Sequence, residues 1–305
     1  MNIWKRNKDQ IMLRSVSSAY SRSAFFDILN FDDYSRIDAL CLRYLSQKCF
    51  DLTYLQVLKS IYSIMKKQYR CEYVFKNELI NQLLLKKYGT RNTAYISEFR
   101  VGNSVADLVL LNGESKVFEI KTEYDSPFRL QKQLIDYKAV FDKCYIVVPA
   151  ENLAEYIEKI DKTVGIVLLC AKSGQVRLEE YRSASPNYIL NKELLMSTLR
   201  TREYECIVES LLGHLPAVAN SQMYKECKRI ILDTEVSVLR QFFLTLVKQR
   251  SDVTKRLRSY PSFLRQMLLS LNLTDEKSAI LLEKLGKTLR QESCIIHFYE
   301  ENNLN

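Results

Sequence analysis

The stretch Ser104-Val105-Ala106-Asp107-Leu108-Val109-Leu110-Leu111-Asn112-Gly113-Glu114-Ser115-Lys116-Val117-Phe118-Glu119-Ile120-Lys121 consists of two apolar runs joined by a turn dipeptide. Aliphatic and aromatic residues crowd both runs, and Asn-Gly between such runs is a strong short-range hairpin signal. In the second run, a strand's period of two sends Val117, Glu119 and Lys121 to one face and Phe118 and Ile120 to the other. Asp107 lies inside the first run, between Ala106 and Leu108. Three charges on two neighbouring buried strands are expensive unless they are paired or bind a metal. The tripeptide acid-x-Lys occurs five times in the chain, but only Glu119-Ile120-Lys121 lies in an apolar strand, so the setting and not the tripeptide is the signal.

Outward from this hairpin the periodicity alternates between strand and helix. Ala94–Val101 is a strand pattern ended by Gly102-Asn103. Before it, Glu72 to Tyr88 carries Phe75, Leu79 and Leu83 with Ile80 and Leu84 on one helical stripe, and Gly89 ends the run. After the hairpin, Ser126-Pro127 reads as an N-cap with Pro in the first turn, opening a helix to about Asp142. Cys144 to Val148 is an apolar strand, Glu151 to Ile160 a helix, and Val164 to Cys170 a second apolar strand. Lys172-Ser173-Gly174 then turns the chain into a last strand, Val176 to Glu180. The order αβββαβαββ predicts an α/β fold with a mixed sheet.

Asp107 followed by Glu119-x-Lys121 across a hairpin, behind a helix bearing Glu78, resembles the PD-(D/E)XK nuclease superfamily, whose core is αβββαβ. The resemblance covers about residues 72–148. The wider set Phe118 to Glu123, Asp125-Ser126, Arg129-Leu130, Gln133-Leu134, Tyr137 and Phe141-Asp142 is similar to small uncharacterised bacterial members. Ala106 stands where the name motif has Pro. The resemblance implies a restriction-endonuclease-like core and a Mg²⁺-dependent nuclease. Asp107, Glu119 and the carbonyl of Ile120 would hold the metal, and Lys121 would stabilise charge on the scissile phosphate. Glu78 would add an outer contact. Gln133 and Tyr137, four apart on one helix face, would point into the site, with Gln131 as the rival for the Gln role. Glu98 and Arg100 on the first strand could pair behind the site or at the surface. The alternative is an inactive member that keeps the ion cluster and serves as a nucleic-acid-binding or protein-interaction module.

The 305 residues carry 45 Lys+Arg against 36 Asp+Glu, a net +9, and 47% are hydrophobic, which excludes wholesale disorder. Residues 1–70 and 183–305 read as helical regions flanking a nuclease-like domain at 71–182. In the first region, Asp32 or Asp33 could cap one helix and Asp51 or Thr53 the next. The C-terminal helical runs are Leu194 to Leu212, Val236 to Val247, Phe263 to Leu271 and Ala279 to Leu289. The basic excess lies on the flanks. Lys248, Arg250, Lys255, Arg256 and Arg258 crowd one segment, which predicts phosphate contacts to a nucleic acid, DNA in the first instance, or else a solvated helix face. The helical flanks could also carry a homodimer or protein-partner interface. No run approaches the length of a membrane span, and no apolar run follows the N-terminal residues, so a cytoplasmic protein is expected. The eight Cys form no Cys-x-x-Cys pair and read as reduced thiols. His214 and His297 are too few for a zinc framework.

One conflict is internal to the hairpin. A two-residue Asn112-Gly113 turn would pair Leu111 with Glu114 and set Asp107 opposite Phe118, sending Glu119 to the other face. A shared metal requires a shift of one residue: either a three-residue loop that pairs Leu111 with Ser115, or a bulge near Asp107.

Overall fold

A computed structural model of the chain describes Trp4 and residues 10–45, 51–125, 127–172 and 175–289. The two apolar runs form β2 (Ser104–Asn112) and β3 (Glu114–Ile120), preceded by β1 (Ala94–Val101). β4 (Lys143–Pro149), β5 (Gly165–Lys172) and β6 (Gln175–Arg182) complete one six-stranded sheet in the order β1 to β6. The β3–β4 and β4–β5 pairs are parallel and the other three antiparallel. The fold is α/β with a mixed sheet. Ser126, Ser173, Gly174, Cys49, Cys294 and His297 lie outside the described residues, and with them the expected Ser126 cap and Ser173-Gly174 turn.

Before the sheet come α1 (Gln10–Ser17), α2 (Arg22–Phe31), α3 (Ser35–Tyr44) and α4 (Tyr54–Gln68). Of the two candidate caps for α4, Thr53 is the one used. It forms a capping box in which its hydroxyl accepts from the Gln56 amide while Gln56 Oε1 accepts from the Thr53 amide. α5 (Glu72–Glu78) continues through a π-helical segment, Leu79–Leu84, into α6 (Leu85–Lys87). The helix expected to run to Asp142 is a 3₁₀ turn, Pro127–Arg129, followed by α7 (Leu130–Lys138). The run from Glu151 to Ile160 shortens to a 3₁₀ turn and α8 (Leu153–Ile157). The run from Leu194 divides into α9 (Lys192–Thr198) and α10 (Thr201–Leu212), because Glu203 accepts from the Arg200 amide and starts a new helix there. α11 (Asn220–Asp233), α12 (Val236–Lys248), α13 (Arg265–Leu271) and α14 (Asp275–Leu285) follow.

Parallel strands are apolar on both faces and must be covered on both. Two hydrophobic cores do this. One joins α1–α6, α13 and α14 to Tyr95, Leu108, Phe118, Tyr145 and Val167 of the sheet. The other joins α7–α12 to Phe99, Val109, Val117, Ile146 and Ile166. The three textures of the sequence are therefore not three packing units: the N-terminal helices and the last two helices share a core with the sheet between them. The six described cysteines are free thiols. No helix among the described residues is long and apolar enough to cross a membrane.

Leu285 of α14 is fully buried in the core that holds the N-terminal helices. Leu285→Ala should cost about 2–5 kcal/mol. Urea unfolding followed by both far-ultraviolet circular dichroism and Tyr fluorescence should remain one coincident transition in the variant. Two separated transitions would show that the flanks fold as units of their own.

Candidate active site

The hairpin takes the three-residue form. Asn112 pairs with Glu114 around Gly113, whose φ is +69°, and Leu111 pairs with Ser115. The next loop overrides the local turn preference: Asp142 Oδ2 accepts from both the amide and the hydroxyl of Ser115 at 2.7 Å, and Lys143 pairs with Glu114 at 3.0 Å. The register runs as far as Leu108–Phe118, which sets Asp107 beside Glu119.

There the two strands part. The Ile120 amide donates not to a β2 carbonyl but to Asp107 Oδ2, at 2.7 Å. On the other side of β2, Ser97 pairs with Leu108 and Phe99 with Ala106, while Glu98 between them has φ +57°. A left-handed conformation at a residue other than glycine costs about 1–2 kcal/mol. Ala106 belongs to one core and Leu108 to the other, although a regular pleat would keep them on one face. Tyr95 and Phe99 differ in the same way. Both strands change face at Glu98 and Asp107 without any shift of register, so the three-residue turn is the solution taken and no bulge separates β2 from β1 or β3.

The opening gathers side chains from helices on both sides of the sheet. Glu119 Oε1 accepts from Lys121 Nζ at 2.9 Å and Gln133 Nε2 at 2.7 Å, and its Oε2 accepts from the Tyr137 hydroxyl at 2.8 Å. Lys121 also donates to Gln133 Oε1 at 2.9 Å. Gln133 and Tyr137 lie on α7, one turn apart. Gln131 is exposed and takes no part. From α5, Lys76 Nζ reaches Asp107 Oδ1 at 3.0 Å and also pairs with Glu72.

Burial raises the Asp107 carboxyl above the usual carboxylate range, the charge of Glu72 adds to the rise, and Lys76 and the Ile120 amide oppose it. Burial, then the charge of Asp107, raises Glu119, against Lys121 and Tyr137. Burial works to lower the Lys76 ammonium, but Asp107 and Glu72 outweigh it and hold it above its ordinary value. Burial and the Glu119 carboxylate push the Tyr137 hydroxyl up, so it is a donor at neutral pH.

The structure thus brings together Asp107, Glu119, Lys121, Gln133 and Tyr137. Ile120 contributes its amide, as a donor to Asp107. Glu78 is placed in another network: its carboxylate accepts from Tyr62 at 2.6 Å, pairs with Lys66 at 3.1 Å and takes the amide of Gln82. Six residues beyond Glu72, it lies on a different face of the helix from the Glu72–Lys76 ladder. Lys76 and Glu72 are the participants that the sequence reading missed. The signal available was their i, i+4 spacing at the start of the helix that precedes the strands. Glu98 pairs with Arg22 at 2.8 Å, not with Arg100.

The basic segment needs a larger correction. Arg250 donates to Glu203 Oε1 at 2.7 Å and to the Thr198 carbonyl at 2.8 Å. Arg256 donates to the Tyr260 hydroxyl and the Leu273 carbonyl, both at 3.0 Å, and Arg258 to the Leu85 carbonyl at 3.0 Å. These guanidinium groups tie the segment to the fold, because its ends need internal donors. Lys255 is 76% exposed and pairs only with Asp252, and Lys248 is half-buried, so these two alone of the five remain candidates for a polyanion.

The fold and site define an α/β protein with a buried ion cluster at the parting of two antiparallel strands. The family model for bacteriophage P4 protein cII matches residues 65–296, and the chain belongs to that family. It is 26% identical over 218 residues to protein cII of Enterobacteria phage P4, covering 70% of this chain and 78% of that protein. A solved structure, a protein of unknown function from Silicibacter pomeroyi, aligns over 45% of this chain and 88% of its own at 17% identity, with a TM-score of 0.30.

Two outcomes test this geometry. Arg250→Gln should cost about 1.5–3 kcal/mol, since it removes charged hydrogen bonds to the half-buried Glu203 carboxylate, whereas Lys255→Gln should stay within about 0.5 kcal/mol. Equal losses in urea unfolding would return Arg250 to the surface set. The second concerns pH. With its carboxyl raised, native Glu119 holds a proton that the unfolded chain has already released, so its contribution to stability falls as pH rises through the window between the two values. The stability of wild type minus that of Glu119→Gln should shrink as pH climbs from about 4, where an ordinary carboxylate titrates. A difference that grows with pH would mean a lowered carboxyl and a different site.

Proposed function

We propose that this protein is a metal-dependent nuclease of the PD-(D/E)XK type that hydrolyses phosphodiester bonds, in DNA rather than RNA, in the cytoplasm. The observation that carries this reading is the pairing of Asp107 beside Glu119 at an opening in the sheet, with Lys121 on Glu119. The order of helix, three antiparallel strands, helix and parallel strand supports it. The acids fit Mg²⁺ as a donor set. An ionised carboxylate has about four acceptor positions, and the hydrogen bonds above leave positions free on both oxygens of Asp107 and on Glu119 Oε2. Mg²⁺ takes few protein carboxylates and keeps waters and phosphate oxygens in its remaining positions. No third His, Cys, Asp or Glu joins the two acids among the described residues. Asp107, Glu119 and the carbonyl of Ile120 would hold the ion, which when bound lowers the pKa of water and offsets phosphate charge.

The chain's own groups do the remaining work. Lys121, fixed by Glu119 and Gln133, presents a cation to the charge that grows on the phosphate. Gln133 bridges Glu119 and Lys121 and keeps both in place. Tyr137 orients Glu119 by holding Oε2. Lys76 neutralises Asp107 in the ion-free protein.

One observation favours a second reading. Lys76 and Lys121 already balance the two acids, as in a structural ion cluster, which suits an inactive nuclease-fold module that binds nucleic acid or a protein partner. Incubating the purified protein with plasmid and Mg²⁺ separates the two. The nuclease reading expects cleavage that falls about 100-fold or more in Lys121→Ala and is lost in Asp107→Asn and Glu119→Gln, with each variant's circular dichroism unchanged. A wild-type protein that leaves plasmid intact in Mg²⁺ and in Mn²⁺, yet shifts its mobility, would replace the first reading with the second.

A further inference from the structure

A cavity of about 270 Å³ lies against β1. Every residue from Tyr95 to Arg100 lines it. Both parities of the strand take part, so the cavity meets the edge of the sheet, between β1 and the segments around Ser251 and Ser270 that pack on it. Arg100 and Arg200 stand in its wall, and Arg250, Ser270 and Asn272 complete it. Arg250 is committed to Glu203 and to the Thr198 carbonyl. Arg100 and Arg200 are exposed, and neither forms an ion pair among the described residues. Glu98, the one acid in the wall, is held by Arg22. The balance of charge at the cavity is therefore positive. Arg200 is also the N-cap residue of the 12-residue α10, whose dipole adds the same sign.

We propose that this cavity binds a phosphate group through Arg100 and Arg200. Two exposed guanidinium forks on the wall of one cavity suit the oxygens of a tetrahedral dianion or of a phosphodiester. The volume is below the 300–1,000 Å³ usual for a drug-sized ligand, so it takes a phosphate and its immediate substituent and not a whole cofactor. A neighbouring cavity of about 610 Å³ shares Ser251 with the first and carries Arg91, Lys248 and Lys255. The second cavity lies at the start of β1 and also holds Asp252, so the two carry a net basic lining on neighbouring parts of the surface. The assignment concerns binding and stands whether or not the chain cuts nucleic acid.

The experiment compares the full-length wild type with Arg100→Gln/Arg200→Gln and with a control, Lys162→Gln/Lys225→Gln, which removes equal charge from exposed lysines lining neither cavity. Two probes are used: the rise in melting temperature with inorganic phosphate, and the affinity for a labelled single-stranded oligodeoxynucleotide across a salt series. The expected result is stabilisation of the wild type by phosphate, lost in the arginine variant. The oligonucleotide should also bind about tenfold more weakly to that variant, with a salt slope lower by about 1.4. Loss of the phosphate response alone would support the site and give its ligand as a free phosphate or nucleotide. Loss of oligonucleotide affinity alone would support it as a reader of the polymer backbone. Should the double variant not fold, each single substitution is read in its place. If the arginine variant and the control respond alike to both probes, the proposal is overturned.

Discussion

The hydrogen bond from the Ile120 amide to the Asp107 carboxylate fixes the functional geometry of this chain. A backbone donor at the end of a strand needs an acceptor. Here a side chain supplies it, so β3 can leave β2 without an orphaned amide. The gap that results is where Lys76 arrives from one face and Gln133 and Tyr137 from the other. The same bond anchors a carboxylate that burial would otherwise protonate. Helices on both sides of the sheet pack around the gap, and neither flank stands apart from the sheet.

Charge balance shapes the interior of that gap. Glu119 is almost fully buried, and an isolated carboxylate there would be very costly. Lys121 and the Tyr137 hydroxyl meet that cost within hydrogen-bond distance, and Lys76 does the same for Asp107. Burial still outweighs these partners, so both acids are raised and not lowered, with the charge of Glu72 adding to the rise at Asp107 and the charge of Asp107 to that at Glu119. Removing a single acid would therefore strand a buried lysine as well as relieve repulsion between the acids. The network answers as a unit, and the effect of any one substitution includes the partner that it abandons.

Much of the fold was legible because the strands are short, apolar and bounded by Gly and Asn. Val117, Glu119 and Lys121 could be assigned to one face from period alone, and the three-residue turn was one of two stated solutions. What was not legible came from distant contacts. The choice of turn depends on Asp142 and Lys143, about thirty residues from it. Lys76 enters the site because α5 crosses under the opening, which no local pattern reveals. Arg250, Arg256 and Arg258 looked like a polyanion surface because charge was visible and their acceptors were not. Three of those acceptors are backbone carbonyls, which carry no sequence signature. The side-chain acceptors Glu203, Tyr260 and Asp275 lie on other segments of the fold or close by in unpredictable register.

The left-handed residue Glu98 has a consequence for the sheet as a whole. β1 is a border strand, and a flat border invites another chain to continue the ladder. A residue at φ +57° in its middle, where the strand also changes face, breaks the row of backbone groups that an incoming strand would have to match. The kink thus acts as a guard against strand-by-strand self-association.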